Sequence, residues 1–300
     1  MTPLDLVELV LLGAIWGASF PLMRIAVPEF GPPSLMFVRV LVATIFLSII
    51  SMIRHSPPVD WRQRRHLMVL GVINSALPFT LLGVATRSLS AGFTSVLNAT
   101  APMWGALVAR IWLGERIDST RVVGLFLGAL GVFVLMFEKV AVTGSAFVLA
   151  VAAGLVATFF YGLSANYTKR FLTGAAPLLV SRDSMASASL VLLPFAYHSW
   201  PVSTPSSAAW AAALFLGVVG TGIAYLLYFR LISHIGPARA ISVTFLIPVF
   251  GTLWGVMFLS ESIGPYMLGG GVMVLLGTAL SNGALTLLNT RHHHPPTPKV

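Results

Sequence analysis

Residues 102–117 read PMWGALVARIWLGERI, and residues 248–263 read PVFGTLWGVMFLSESI. Six of these sixteen aligned positions are identical, where so apolar a composition gives about one or two by chance. Pro102 precedes Glu115 by 13 residues, and Pro248 precedes Glu261 by the same 13. The offset of 146 continues onward, pairing Gly124 with Gly270 and Gly131 with Gly277. It also reaches back, where Leu70-Gly71-Val72 meets Leu216-Gly217-Val218. At an offset of 145, Trp16-Gly17 meets Tyr161-Gly162 and Ser19 meets Ser164. Agreement spread over four helix pairs marks an internal repeat, which has to be recognised before any motif is interpreted.

The composition says what surrounds the repeat. Apolar residues make up 57% of the 300 positions, charged residues only 9%, and the mean hydropathy is +0.90. A soluble domain carries about a quarter charged residues, so most of this surface faces lipid. Stretches without Asp, Glu, Lys or Arg run over 66–86, 88–109, 140–168, 184–229, 240–260 and 262–290. One crossing takes about 20 apolar residues, so 184–229 holds two, separated by the turn-rich run 201–207. Shorter runs complete the count if their charged ends snorkel. The expected fold is an all-α integral membrane protein with ten transmembrane helices. They lie near 5–25, 33–53, 66–86, 91–113, 120–138, 145–168, 178–199, 208–231, 238–259 and 264–288. Transmembrane β-strands would be about 10 residues long and alternating, and these runs are too long and too uniform. Asp5 and Glu8 stand where a signal peptide would be basic, so the first run reads as a span.

Charge sets the orientation. A cytoplasmic N-terminus places 14 of the 18 basic residues inside and leaves Arg24, Arg39, Arg87 and Lys139 outside, a positive-inside distribution. Ten spans return the C-terminus to the cytoplasm, and the expected location is the inner (plasma) membrane. The repeat then divides the chain into five helices in 1–140, five in 141–289, and a cytoplasmic tail at 290–300. Five is odd, so the copies enter the membrane from opposite sides. Inverted repeats around a midplane site are a recurring transporter architecture. The net charge of +9 does not read as a nucleic-acid surface, because the basic residues are scattered among long uncharged stretches. The absence of cysteine excludes a disulfide framework and a thiolate nucleophile. No P-loop is present, so ATP is not the energy source within this chain. His292-His293-His294 sits in a Pro-rich tail and reads as disordered, not as a metal site. No cofactor is expected.

The Trp-Gly-Ala-Ser-Phe run at 16–20 resembles the first-helix motif of the EamA family in the drug/metabolite transporter superfamily. The Pro-to-Glu spacing ending in Leu113-Gly114-Glu115-Arg116, seen again at Leu259-Ser260-Glu261, resembles its fourth-helix signature. The resemblance covers nearly the whole chain. Amino acid exporters of the YddG type are similar in length and plan. Asn98 and Pro102 fit their cavity pattern, whereas Ala99 and Ala101 stand where bulkier residues are expected, which argues against narrow aromatic selectivity.

Proline inside a span frees a carbonyl and bends the helix; Pro21, Pro78, Pro102, Pro194 and Pro248 qualify. Pro102 and its repeat mate Pro248 are the candidate hinge or cavity positions. Polar groups at membrane depth face the bundle interior. Asn74, Asn98, Asn166 and Thr221 join Trp16, Pro78, Phe79, Tyr161 and Tyr225 as candidate cavity residues, on helices 1, 3, 4, 6, 8 and 9. Thr80, Thr100 and Thr244 can instead bond their own helix. Arg39 either meets a substrate carboxylate or seals an outer gate, or else it snorkels to the headgroups. Gly13-x3-Gly17, Gly124-x3-Gly128 and Gly251-x3-Gly255 read as close helix packing, with glycines 124, 128 and 131 as an alternative dimer face. No acid falls at a predicted midplane, so a neutral cavity and no proton relay are expected.

The leading function is a secondary transporter, not an enzyme, exporting small amphipathic metabolites, amino acids above all, as a uniporter. It works as a monomer or weak homodimer. A multidrug exporter or a proton-coupled exchanger are the rivals of the same fold. An intramembrane enzyme built on Ser19 is the remote one, because it needs a base at hydrogen-bond reach and His66, His198 and His234 fall at helix ends.

Overall fold

The structure, a computed structural model, describes residues 2–55 and 61–281, and helix is the only regular structure among them. The expected tail at 290–300, His292–His294 and the tenth span beyond 281 lie outside the described residues. Helix α1 (Pro3–Phe30) opens on a capping box: Asp5 N–H donates to Thr2 Oγ1 at 3.2 Å and Thr2 N–H donates to Asp5 Oδ2 at 2.7 Å. A single residue, Gly31 at φ +73°, turns the chain into α2 (Pro32–Ile53). Helix α3 (Trp61–Gly71) passes through a π-helical turn at Val72–Ala76 into α4 (Leu77–Ala85). Ser90 caps α5 (Ala91–Asn98), and α6 (Ala101–Trp112) follows. Helix α7 (Ser119–Phe171) carries one non-helical residue, Gly144, at φ +66°. Helix α8 (Pro177–His198) leads to α9 (Ser207–Gly217), a second π-helical turn at Val218–Ile223, and α10 (Ala224–Ile235). The short α11 (Pro237–Ala240), α12 (Val243–Leu259) and α13 (Pro265–Ser281) are the last of the described residues.

Among the described residues, seven helices are long and apolar enough to cross a membrane: Pro3–Phe30, Pro32–Ile53, Gln63–Ala85, Ser119–Phe137, Gly144–Phe171, Pro177–His198 and Ser207–Ile235. The apolar α12 and α13 have 17 residues each. Large apolar side chains such as Ile111, Phe126, Phe133 and Phe258 point outward, while Ser34, Thr94, Ser95, Thr158 and Thr278 are fully buried. An apolar exterior over a partly polar interior suits a bundle surrounded by lipid.

Three boundaries differ from the sequence reading. The expected span at 91–113 is two helices, broken at Ala99 and Thr100 just ahead of Pro102, whose ring has no N–H to extend the ladder. The spans expected at 66–86 and 208–231 each contain a π-helical turn, and the turns begin at Val72 and Val218, which are repeat mates. The gap expected at 139–144 is helical up to Gly144, so the break there is one residue wide.

Glycine allows the closest crossings. A Cβ at Gly17 would lie 2.6 Å from Phe250 Cβ and 2.8 Å from the Gly251 nitrogen. One at Gly162 would lie 2.5 Å from the Gly105 nitrogen. Gly162 is the repeat mate of Gly17 and Gly251 that of Gly105, so the two crossings are one contact with the halves exchanged. Gly124 and Gly131 meet α13 at Gly277 and Gly270, and Gly128 lies against Met103. These three glycines are therefore consumed by packing within the chain and are not free to form a dimer face. Gly277→Ala should destabilise the bundle by about 1–3 kcal/mol, the usual cost of overpacking, because its Cβ would press on the Gly128 backbone. The control is Gly269→Ala, where nothing lies within 4 Å. Thermal unfolding in detergent reads both; equal midpoints for the two variants would contradict the crossing.

Candidate functional site

A cavity of about 810 Å³ runs along the inside of the bundle. Its wall includes Trp16, Arg39, Asn74, Phe79, Asn98, Pro102, Tyr161, Asn166 and Tyr225. These are nine of the twelve positions expected from the sequence. Pro78, Thr221 and Pro248 are buried and are not part of the wall. Thr221 instead lies behind Arg39, and Pro248 sits inside continuous α12. The wall also takes Ser181 and Ser184 from α8, a helix the sequence reading left out; α2 was likewise missing from the expected helices, although its Arg39 was among the expected residues. The i, i+3 spacing of these serines was the available hint.

Both π-helical turns contribute to this wall, the first through Asn74 and the second through Gly220. Asn74 lies in the first, where its Nδ2 donates to the Tyr225 hydroxyl at 3.2 Å and its Oδ1 accepts from Ser164 Oγ at 2.9 Å. Thr221 lies in the second, donating to the Leu216 carbonyl at 2.9 Å and accepting from Arg39 Nε at 3.0 Å. A π-turn shifts the register of side chains by one residue, and such turns occur often at functional sites. Pro78 and Pro102 stand four residues after Asn74 and Asn98, so each asparagine's carbonyl loses its usual helical donor beside the cavity. Asn166 is tied down, giving its Nδ2 to Gly105 and Gly162 carbonyls at 2.9 Å each. The threonines behave as local bonders: Thr80, Thr100 and Thr244 donate to carbonyls three or four residues earlier.

Arg39 corrects the expectation of a neutral cavity. It is 6% exposed, its guanidinium carbon stands 4.0 Å from the centre of the Phe79 ring, and among the described residues it forms no ion pair. Phe79 is held edge-on to Tyr161, with centroids 6.4 Å apart. Across the cavity Trp16 lies 6.3 Å from Tyr225 and 5.3 Å from Tyr228. The site is thus one fixed cation, a chain of neutral hydrogen-bonding groups and several aromatic faces.

The two ends of the bundle differ. At one end the cavity wall includes Glu115 and Lys169, which pair at 2.5 Å with side chains 38% and 65% exposed. At the other end Arg24 pairs with Glu261 at 3.2 Å, and Glu261 is 11% exposed. Its carboxylate also accepts from the Ala91 and Gly92 N–H groups at 2.7 and 3.2 Å, while Arg24 donates to the Leu89 carbonyl. Neither Arg24 nor Glu261 lines the cavity. Phe30, packed edge-on to Trp210 and Trp200, covers the same end. Lys169 and Glu115 are the repeat mates of Arg24 and Glu261. Elsewhere at the Glu115 end, Glu8 is bonded to Arg230, and Asp5 faces His234 at 3.6 Å. His66 bonds the Tyr167 hydroxyl and His234 faces Asp5, so neither is turned to Ser19.

The model of the EamA-like transporter family matches the chain twice, over residues 6–137 and 148–283. The chain belongs to the EamA-like transporter family. An uncharacterized transporter of Archaeoglobus fulgidus is 26% identical over 90% of this EamA-like chain and 96% of its own length. A protein of Streptantibioticus cattleyicolor named "Probable terminal-alkyne amino-acid exporter" is 26% identical over 91% of this chain and 92% of its own. Protein PecM of Dickeya dadantii is 25% identical over 87% and 86%. A solved crystal structure shares the fold, with a TM-score of 0.63 and 18% identity over 96% of this chain and 97% of its own. This EamA-like chain is accordingly a multi-pass membrane protein of a transporter family.

Glu261→Ala would leave Arg24 and two amides without their acceptor. Each bond to a charged acceptor is worth about 1.5–3 kcal/mol, and Arg24 is partly exposed, so its share is discounted. The purified variant should lose about 2 kcal/mol or more of stability. An unchanged unfolding midpoint would show that the pair does not hold that end.

Proposed function

We propose that this protein is a secondary transporter that exports small amphipathic metabolites, amino acids above all, by alternating access. The observation that carries this reading is the cavity itself: it lies between repeat-related elements, reaches the Glu115 end, and stops short of the Arg24–Glu261 pair. The reading takes ten transmembrane helices in two inverted repeats, 1–140 and 141–289, with a cytoplasmic tail at 290–300. It is supported by the seven long apolar helices together with α12, α13 and the broken pair α5–α6. It is also supported by three features that recur at offsets of 145 or 146: the π-turns, the glycine crossings and the terminal ion pairs. The family model's two matches fall on the same halves. In each exchanged contact, the first helix of one half meets the fourth helix of the other, as a pseudo-twofold axis in the membrane requires.

The Glu115 end is assigned to the cytoplasm of an inner-membrane protein by the positive-inside distribution. Rocking the halves about the site would break the Arg24–Glu261 pair as the Glu115 end closes. Export of amino acids is supported by the mixed polar and aromatic wall and by the name that the S. cattleyicolor relative carries. Uniport is supported by the carboxylates: among the described residues Glu115, at the mouth, is the one acid in the wall, and the buried acids Asp5 and Glu8 lie outside it, facing His234 and Arg230, so they form no relay along the cavity. Release requires weak binding, on the order of millimolar, or ~4 kcal/mol.

Proteoliposomes test this. Vesicles holding the protein should equilibrate labelled amino acids down their own gradients, and a pH difference imposed at equal solute should drive no accumulation. Accumulation under that pH difference contradicts uniport, and a complete lack of amino acid flux contradicts the substrate class. Asn98→Ala should lower the flux while leaving expression and unfolding unchanged, since Asn98 lines the cavity at the α5 end. Undiminished flux in Asn98→Ala, Asn74→Ala and Phe79→Ala alike would remove the site assignment.

A further inference from the structure

A buried guanidinium without a carboxylate partner needs explaining, because an uncompensated charge in hydrocarbon is costly and marks function by default. Arg39 lies seven residues into α2, so it sits roughly 10 Å below the closed end of the bundle. That depth is beyond easy reach of the headgroups, and the side chain turns into the cavity wall. Thr221 fixes Nε and the Phe79 ring supports the guanidinium plane. Neither terminal nitrogen of Arg39 has a partner among the described residues. A guanidinium held by one edge presents its remaining N–H pair as a fork, and that fork matches a carboxylate.

We infer that Arg39 is the receptor for the carboxylate of the transported solute. The inference rests on the transport reading and names the chemical group that the site recognises. One fixed cation matches a single negative charge. A phosphate dianion would call for more, and the other basic groups of the wall, Lys169 and Arg121, lie at the mouth, where Lys169 is paired with Glu115. The Asn74–Tyr225–Ser164 chain accepts and donates neutral hydrogen bonds to the rest of a polar head. Trp16 and Tyr228 offer aromatic faces on which an ammonium group gains from the ring quadrupole. A zwitterionic amino acid satisfies all three; its amide, lacking the negative charge, satisfies only two. The second π-turn gains a purpose in this arrangement, because it places Thr221 Oγ where it accepts from Arg39 while still bonding Leu216.

The test separates binding from transport. Purified wild-type protein is unfolded thermally in the presence of leucine, methionine or phenylalanine, and of leucinamide, methioninamide or phenylalaninamide, at tens of millimolar. At least one acid should stabilise the protein where its amide does not. Arg39→Gln, checked for monodispersity, should bind that acid on the order of tenfold to hundredfold more weakly, the worth of one charged hydrogen-bonding partner. It should lose the preference for acid over amide. Arg39→Lys should keep the preference with weaker binding. Thr221→Val, which leaves the charge but releases Nε, should keep it with a loss of a few-fold. If Arg39→Gln does not fold, the Lys and Val variants carry the test. Acids that stabilise the wild type no better than amides, or an Arg39→Gln that responds as the wild type does, overturn the inference. Acid-selective binding without flux in vesicles overturns the transport reading alone, and flux without acid selectivity overturns the Arg39 site alone.

Discussion

A charge or a backbone amide left bare in hydrocarbon costs several kcal/mol, and the arrangement of this bundle follows from where each such group finds its partner. Glu261 serves three donors at once: the Arg24 guanidinium and the first two N–H groups of α5. That single carboxylate joins α1, α5 and α12 and holds one end of the molecule shut. Glu8 is answered by Arg230 across α1 and α10. Arg182 is answered by Asp183 and by Ser51 on α2. Arg39 is satisfied at one nitrogen and otherwise turned to the cavity.

The repeat explains why the cavity lies where it does. Gly17 on α1 packs against Gly251 on α12, and its sequence-repeat mate Gly162 on α7 packs against Gly105 on α6. These crossings bring backbones too close for any side chain between them, so the interior opens beside them and not through them. The π-turns flank the opening: the first places Asn74 on its wall, and the second places Thr221 behind Arg39. The same sequence element produces both ion pairs, yet one is buried and multiply bonded while the other is exposed at the cavity mouth.

Much of this was legible in the sequence, and the reasons differ by feature. Helix positions follow from runs of apolar residues, which burial in lipid makes nearly sufficient. The repeat was visible because Pro, Gly and Glu are rare enough at fixed spacing to stand out. Nine cavity residues were legible because Asn, Trp, Tyr and Arg at depth have few other uses. The π-turns were not legible: one extra residue per turn leaves the hydropathy of 72–76 unchanged. The break at Ala99 and Thr100 was not foreseen either, although Pro102 marks its far side. The capping of α5 by Glu261 joins residues 170 positions apart, and no local pattern reports such a contact. Arg39 could be read as a snorkelling residue until its helix was packed, because its depth depends on where α2 begins and which face it buries.

The central claim is that the cavity is reached from the Glu115 end and sealed at the Glu261 end. The chain has no native cysteine, so a single engineered thiol gives an unmixed readout. Ala101→Cys places that thiol on the cavity wall, Thr173→Cys marks the Glu115 end, and Val202→Cys marks the opposite loop. A membrane-impermeant thiol reagent is then applied to one face of the membrane at a time. The account predicts that Ala101→Cys reacts from the face that modifies Thr173→Cys and is protected from the face that modifies Val202→Cys. Modification of Ala101→Cys from the Val202 face alone, or from neither face, would contradict it.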